Sequence, residues 1–376
     1  MRAISFTSAV LACALLGSLG ALTLADIFDG PGNPRQERVA RTPPLPTSVS
    51  QIPKFLGNAR YFATERYALK ETFITLNGMV KMAIFDHSPA TNVLLGEEGF
   101  LFFNVDEAID GAQGKDRLDA TGQAVWADYF KTLDQNFQRQ GLPFSLVIGP
   151  NKHSIYPDLT PDWLAVQPLG DTRAGDIMTV AQAVLGDQFV DTRDLLQHAR
   201  IQQPDVPLYH PTDTHWTEWG AALALHDVLA RQNLDLPAPQ FEIADLVQSG
   251  DLSRMVGQQH RWAATAPTLP KGWSCADADN QPLFVTTIDP LMPRRFTCGT
   301  PGARPEKIVV FTDSFGVSTI PYLSSRFQTV DFIWSDKADP DAAKALGADY
   351  VLQILVERKL MTDTPQDFLV QSGALR

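Results

Sequence analysis

The chain has 376 residues, of which 44% are hydrophobic and 20% are charged, a composition typical of a globular protein with one large core or two modest ones. Its formal net charge of −12 at pH 7 argues against a nucleic-acid partner, which requires a basic surface. The same charge disfavours encounter with a strongly anionic polymer, although a local positive patch can override net repulsion.

The N-terminus predicts export across a membrane. Residues 3–25 contain no charged side chain and precede Asp26. A helix of that length extends about 35 Å, enough to cross a hydrocarbon core. The length of the run favours a membrane anchor, and a signal peptide cleaved after the small residues Thr23 and Ala25 is the alternative. Either way, we expect the rest of the chain to lie on the far side of the membrane.

The sequence pattern divides the chain into three segments. Residues 1–25 are the leader, and residues 26–50, rich in Pro and Arg and without periodicity, are interpreted as an extended tether. The folded domain then occupies residues 51–376. It begins with apolar residues at helical spacing over 52–85, which predicts packing helices.

The middle of the chain alternates between helical and strand patterns, which predicts an α/β fold with a doubly wound, mainly parallel sheet. The predicted elements are a helix over 120–139, a strand over 144–148, a helix over 176–185, a strand over 188–190 and a helix over 192–200. In such sheets, ligands bind beyond the carboxyl ends of the strands.

The segment GPNKHSIYP, residues 149–157, leaves the strand over 144–148 at that end of the sheet. We therefore predict that Lys152 and Tyr156 reach the substrate. A solvated loop lysine is an equally good interpretation of Lys152.

The segment YHPTDTHW, residues 209–216, contains an orienting carboxylate and a base. Asp213 and His215 are two residues apart, ahead of a helix predicted over 221–230, so their side chains can project to the same side. Trp216, beside this base, either stacks on a sugar or wedges the loop against the core. A metal site including His210 is the weaker interpretation, because no further dense group of His, Cys or Glu accompanies it. We therefore predict no metal.

Residues 236–304 interrupt the α/β alternation as a loop-rich excursion that contains the segment SGDLSRMVG. Cys275 and Cys298 lie in it, and they are the only cysteines outside the leader. In an oxidising compartment two such cysteines most simply form one disulfide.

The segment KIVVFTDSFG, residues 307–316, predicts a buried strand that ends in a sharp turn. Ser314 on this turn is the candidate nucleophile, with His215 as its base and Asp213 as the residue that orients the base. A serine after a strand is more often a helix N-cap. The Asp-x-His pair on another segment favours the catalytic interpretation.

Several segments together resemble the AlgJ and AlgX family of periplasmic alginate O-acetyltransferases, which have an SGNH-hydrolase-like domain. The resemblance covers residues 55–360 and is carried by GEEGFLFF (96–103), GPNKHSIYP (149–157), DTHWTEWGA (213–221), TDSFG (312–316) and VLQILVER (351–358). It implies a flavodoxin-like sheet with circularly permuted motif order, because the Asp/His segment precedes the Ser segment. It also assigns Ser314, His215 and Asp213 as the catalytic triad.

The resemblance implies a periplasmic O-acetyltransferase that moves acetyl through a serine acyl-enzyme onto hydroxyls of an exopolysaccharide such as alginate. It implies a membrane-bound O-acyltransferase as the acetyl supplier and no diffusible cofactor. The apolar run of residues 3–25 separately predicts contact with the inner membrane. A triad alone does not separate transfer from hydrolysis, because the two differ in acceptor binding and water exclusion. The alternatives are a periplasmic carbohydrate esterase and a non-catalytic polysaccharide-binding assembly subunit.

Overall fold

The computed structural model describes residues 43–65, 70–105, 108–164, 166–167, 171–234, 236–245, 250–258, 265–283 and 293–368. The predicted leader and most of the predicted tether lie outside these residues. Within them, no helix combines the length and the apolar character that crossing a membrane requires.

The chain divides into two compact units, Met1–Pro89 and Ala90–Arg376. In the first unit, the helical spacing over 52–85 corresponds to helices α1 (Ile52–Glu65) and α2 (Lys70–Phe85). The boundary after Pro89 lies downstream of residue 51, where the sequence placed the start of the folded domain.

The second unit contains the sheet and the candidate site. Its described strands are β1 (Val93–Leu95), β2 (Leu101–Phe103), β3 (Phe144–Gly149), β4 (Phe189–Asp191), β5 (Glu242–Asp245), β6 (Thr265–Thr268), β7 (Ser274–Asp277), β8 (Pro282–Leu283), β9 (Arg295–Gly299), β10 (Arg304–Thr312), β11 (Phe327–Trp334) and β12 (Tyr350–Val356). Its described helices are α3 (Ala108–Ala112), α4 (Ala120–Gln140), α5 (Lys152–Ile155), α6 (Arg173–Leu185), α7 (Arg193–Gln202), α8 (Glu218–Arg231), α9 (Asp251–Met255), α10 (Ile320–Arg326), α11 (Pro340–Ala345) and α12 (Lys359–Thr362).

The main sheet has eight strands in the order β4-β3-β12-β10-β11-β9-β7-β8. The first five are parallel, whereas β9, β7 and β8 continue the sheet antiparallel. The prediction of a mainly parallel sheet therefore needs correction, because the sheet is mixed. The excursion supplies the three extra strands: β7 pairs with both β8 and β9, and β9 pairs with β11. Antiparallel pairs need no long crossover between their strands.

Strand β10 lies inside the sheet and is buried on both faces. Ile308 and Val310 pack in one hydrophobic cluster with Leu225 of α8. Val309 and Phe311 pack in a second cluster, together with residues of α4 and α6. Because alternate side chains of a strand point to opposite faces, helices cover both sides of the sheet, as a doubly wound fold requires.

The parallel register aligns the carboxyl ends of three strands. Strand β12 lies between β3 and β10, with Val356 opposite Gly149 and Ile354 opposite Thr312. From these ends the chain continues into the segments that contain Asn151, Asp313 and Glu357. This edge of the sheet holds the candidate site.

Cys275 and Cys298 form a disulfide. They are directly opposed residues of the antiparallel strands β7 and β9. The predicted disulfide is therefore confirmed, and it links two neighbouring strands of the excursion.

The disulfide should stabilise the folded state mainly by restricting the unfolded chain. For a sequence separation of 23 residues, the double variant Cys275→Ala, Cys298→Ala should lose about 3 kcal/mol of unfolding free energy, from loop-closure entropy. Urea denaturation measures this loss, and reductant should lower the stability of the native chain equally. Equal stability of the double variant and the native chain would contradict the assignment.

Candidate active site

Asp313 shapes the turn that carries the candidate nucleophile. Its Oδ1 accepts a hydrogen bond from the backbone N–H of Phe315 at 2.8 Å, and its Oδ2 accepts one from the backbone N–H of Val356 at 2.8 Å. Burial raises the pKa of Asp313, and the two backbone donors partly offset that effect. This carboxyl group caps the 3₁₀ turn Ser314–Thr319 and ties it to β12, so the half-buried Ser314 begins a fixed turn.

The buried Asp213 and the partly buried His215 form an acid–base pair. Asp213 Oδ1 accepts hydrogen bonds from His215 Nδ1 at 2.6 Å and from the His215 backbone N–H at 2.9 Å. With its proton on Nδ1, a neutral imidazole has a lone pair on Nε2, as a general base requires.

The two side chains shift each other's protonation. Burial alone would raise the pKa of Asp213, but the charge and hydrogen bond of His215 hold it well below its usual range. Burial alone would lower the pKa of His215, but the charge and hydrogen bond of Asp213 outweigh it and raise this pKa.

Trp216 joins the Asp/His loop to the nucleophile turn. Its Nε1–H donates to the carbonyl of Phe315 at 2.9 Å, and Ser318 Oγ donates to the carbonyl of Trp216 at 2.9 Å. The Phe315 ring lies 5.3 Å from the His215 ring, centroid to centroid. A Cβ on Gly149 would lie 2.4 Å from Phe315 Cδ1, so a residue without a side chain there makes room for this ring.

The structure places Ser314 on the turn that packs against His215, but their hydrogen bond is not formed. His215 Nε2 is buried and has no hydrogen-bond partner among the residues that the structure describes. Catalytic hydrogen bonds are often long without substrate and shorten when substrate binds. The Asp–His pair is thus observed, and the complete triad stays a prediction.

The three residues predicted to bind substrate are all buried and bonded within the protein. Lys152 Nζ donates to the carbonyls of Leu101 at 2.8 Å and Pro211 at 3.0 Å, and burial lowers the pKa of Lys152 to about 7. The hydroxyl of Tyr156 accepts from the backbone N–H of Leu208. Trp216 is fully buried. These contacts position the site, and substrate contact by the three side chains stays untested.

A small cleft lies beside the Asp/His loop. Its lining includes Phe103, Asn151, His153, Thr214 and Arg358. The Arg358 guanidinium lies 5.2 Å from the ring of Phe103 and 5.7 Å from that of Phe315. This cation therefore stands between the cleft and the nucleophile turn.

Sequence reasoning missed Asp251 in the excursion. One ligand atom each from Asp213, His215 and Asp251 lie within 4.8 Å of one another, as in some metal sites. The carboxylate oxygens of Asp213 and Asp251, however, already accept hydrogen bonds from backbone N–H groups and side chains. The N–H and O–H donors that face these oxygens already place partial positive charge there, which stabilises the carboxylates and opposes a cation. The cluster therefore does not fit a metal.

A family model described as "SGNH hydrolase-like domain, acetyltransferase AlgX" matches residues 93–290, more than half of the chain. The chain belongs to this family. The matched range includes Asp213, His215 and Asp251 and ends before Ser314.

The chain is also similar to individual proteins. The chain is 25% identical over 217 residues to the "Probable alginate O-acetylase AlgJ" of Pseudomonas aeruginosa, covering 52% of each protein, so it spans about half the length of this curated relative. Bacillus cereus PatB1 superimposes with a TM-score of 0.52 at 14% identity, covering 72% of this chain and 99% of that one. A DHHW family protein from Eubacterium siraeum gives a TM-score of 0.51 at 14% identity, covering 74% and 99%. These two structures support the SGNH-hydrolase-like α/β fold.

Buried His210 should make the protein acid-sensitive. Burial lowers the pKa of His210 to about 4, so the unfolded chain takes up a proton first as the pH falls below 6.5, and stability is lost between pH 6.5 and 4. His210→Asn should remove roughly 2 kcal/mol of the stability loss between pH 7 and pH 5, measured by urea denaturation at each pH. The exposed His198, replaced in the same way, is the control. An undiminished acid sensitivity in His210→Asn would contradict this role.

Proposed function

We propose that this chain is an O-acetyltransferase that moves an acetyl group through a Ser314 acyl-enzyme onto hydroxyls of an exopolysaccharide. The observation that carries the proposal is the hydrogen-bonded Asp213–His215 pair, packed against the turn that begins at Ser314. Membership of the acetyltransferase family supports the choice of acyl transfer over other serine chemistry.

In the first step, Ser314 Oγ attacks the acetyl carbonyl and His215 Nε2 takes the hydroxyl proton. Asp213 holds the imidazole by Nδ1 and stabilises the imidazolium that forms. The tetrahedral intermediate then collapses, the donor oxygen leaves with the proton from Nε2, and acetyl remains on Oγ. In the second step an acceptor hydroxyl loses its proton to Nε2 and attacks the acyl-enzyme, and Ser314 recovers its proton.

The oxyanion requires donors that are not already used. The Phe315 N–H is bonded to Asp313 Oδ1 and is therefore occupied. We assign the Ser314 backbone N–H as one donor. Arg358 stands over the Phe315 ring, and its charge favours an anionic substrate or intermediate nearby.

The proposal includes an address and partners. We propose a periplasmic location, with residues 3–25 as an inner-membrane anchor or a cleaved signal peptide. The acetyl supplier is a membrane-bound O-acyltransferase, and the acceptor is a polysaccharide. The similarity to the probable alginate O-acetylase of P. aeruginosa supports this substrate class.

Replacement of the nucleophile tests the proposal. The purified protein should release p-nitrophenol from p-nitrophenyl acetate and carry acetyl on Ser314, seen by peptide mass spectrometry. Ser314→Ala should lose the adduct and lower the rate by about 10³-fold or more. Ser325→Ala, which removes a hydroxyl that donates to the Tyr322 carbonyl in α10, is the matched control and should keep both. Full esterase activity in Ser314→Ala would show that another group is the nucleophile.

Offering oligosaccharides together with the acetyl donor separates the candidate functions. Acetylated sugar among the products supports transfer. Free acetate without acetylated sugar would instead make the protein a carbohydrate esterase, and sugar binding without turnover of any ester would make it an assembly subunit.

The pH dependence should report His215. The pKa of His215 is raised by Asp213, and only the neutral imidazole accepts the serine proton, so kcat/KM should fall as the pH drops through a value above 6.5. Asp213→Asn removes the charge that favours imidazolium, so this acid limb should move to lower pH while the rate falls by about 10³- to 10⁴-fold. An acid limb that stays in place in the variant would argue that another group is the base.

A further inference from the structure

A short segment of the excursion is fitted against the Asp/His loop. The backbone N–H of Asp251 donates to Asp213 Oδ2 at 2.8 Å, and that of Ser253 donates to the carbonyl of Thr212 at 3.1 Å. A Cβ on Gly250 would lie 2.1 Å from the Thr212 carbonyl oxygen. This approach of two backbones is possible only because residue 250 has no side chain.

The Asp251 side chain completes the contact. Its Oδ1 accepts from the backbone N–H of Thr214 at 2.8 Å and from that of Leu252 at 2.7 Å. Its Oδ2 accepts from Thr214 Oγ1 at 2.6 Å, and this hydroxyl lies 3.2 Å from His215 Nδ1. Burial and the nearby charge of Asp213 raise the pKa of Asp251, and the charge of His215 and the hydrogen bonds from Thr214 oppose this shift. Because both oxygens face donors, the geometry favours the ionised carboxylate.

We propose that Asp251 is a positioning residue for the acyl transfer: it fixes Asp213 and Thr214, and its charge stabilises the His215 imidazolium. This inference rests on the proposed function for its catalytic consequence. Its structural and electrostatic claims concern the Asp/His loop and the protonation of His215, and they do not depend on that function. The Asp213 carboxylate thereby receives hydrogen bonds on both oxygens, one set from His215 and one from the excursion.

Several charged groups act on His215 and its loop. Asp213 and Asp251 favour the imidazolium, whereas Arg358 opposes it. Lys152 and His210 also interact with this group of acids. Of these two acids, Asp213 bonds the imidazole directly and Asp251 does not. The charge of Asp251 can therefore be removed while the Asp213–His215 hydrogen bond stays.

Asp251→Asn separates charge from shape. The amide oxygen can still accept from the two backbone donors, and the amide nitrogen can donate to Thr214 Oγ1. The imidazole of His215 should titrate about 1 pH unit lower than in the native chain, followed by NMR of the histidine ring. The plateau value of kcat/KM above the acid limb should fall about tenfold, because the imidazolium formed in the transition state loses stabilisation. Asp245→Asn, which removes the same charge from an exposed position, is the control and should change neither.

A second pair of variants keeps Asp251 in place. Thr214→Val removes the hydroxyl between the Asp251 carboxylate and His215 Nδ1 and should lower kcat with little change in KM. Thr214→Ser keeps the hydroxyl and should restore most of kcat. These variants test the same connection if Asp251→Asn does not fold.

The outcomes distinguish this inference from the proposed function. An unshifted His215 titration in Asp251→Asn, or equal kcat in Thr214→Val and Thr214→Ser, would overturn the role of Asp251 and leave the acyl transfer intact. A shifted titration in a protein that acetylates nothing would support the electrostatic role of Asp251 while the proposed function fails.

Discussion

The Asp213 carboxylate is the group on which the candidate site depends. It is fully buried, and it remains ionised because backbone and imidazole donors surround it. Burying an ionised carboxylate without such donors would cost desolvation free energy. The loop conformation that supplies the donors and the ionised state of Asp213 therefore depend on each other. Through this one group, the Asp/His loop, the imidazole tautomer and the docking of the excursion are set together.

The sheet provides the frame for that arrangement. Strand β12 lies between β3 and β10, and its Val356 N–H donates a hydrogen bond to Asp313 Oδ2. The end of one strand therefore holds the turn that leaves another. Trp216 then connects this turn to the Asp/His loop. The site is thus built from segments far apart in sequence, and hydrogen bonds between side chains and backbone set their relative positions.

Local sequence predicted much of this fold because local physics determines it. The helix predicted over 120–139, the strand predicted over 144–148 and the buried strand ahead of Ser314 all occur where apolar spacing placed them. The mixed sheet was not predictable in this way, because β9 and β7 join it through long-range pairing that leaves no periodic signal. Asp251 was missed for the same reason. Its only local signal is the Gly-Asp pair at residues 250 and 251, which is also ordinary turn chemistry.

A crystal structure of the protein after reaction with a sulfonyl fluoride tests the central claim most directly, since such reagents label activated serines. The account predicts a sulfonyl group on Ser314 Oγ, with His215 Nε2 within hydrogen-bonding distance of the adduct and the Asp213–His215 bond intact. An unmodified Ser314, or an adduct with His215 out of reach, would contradict it.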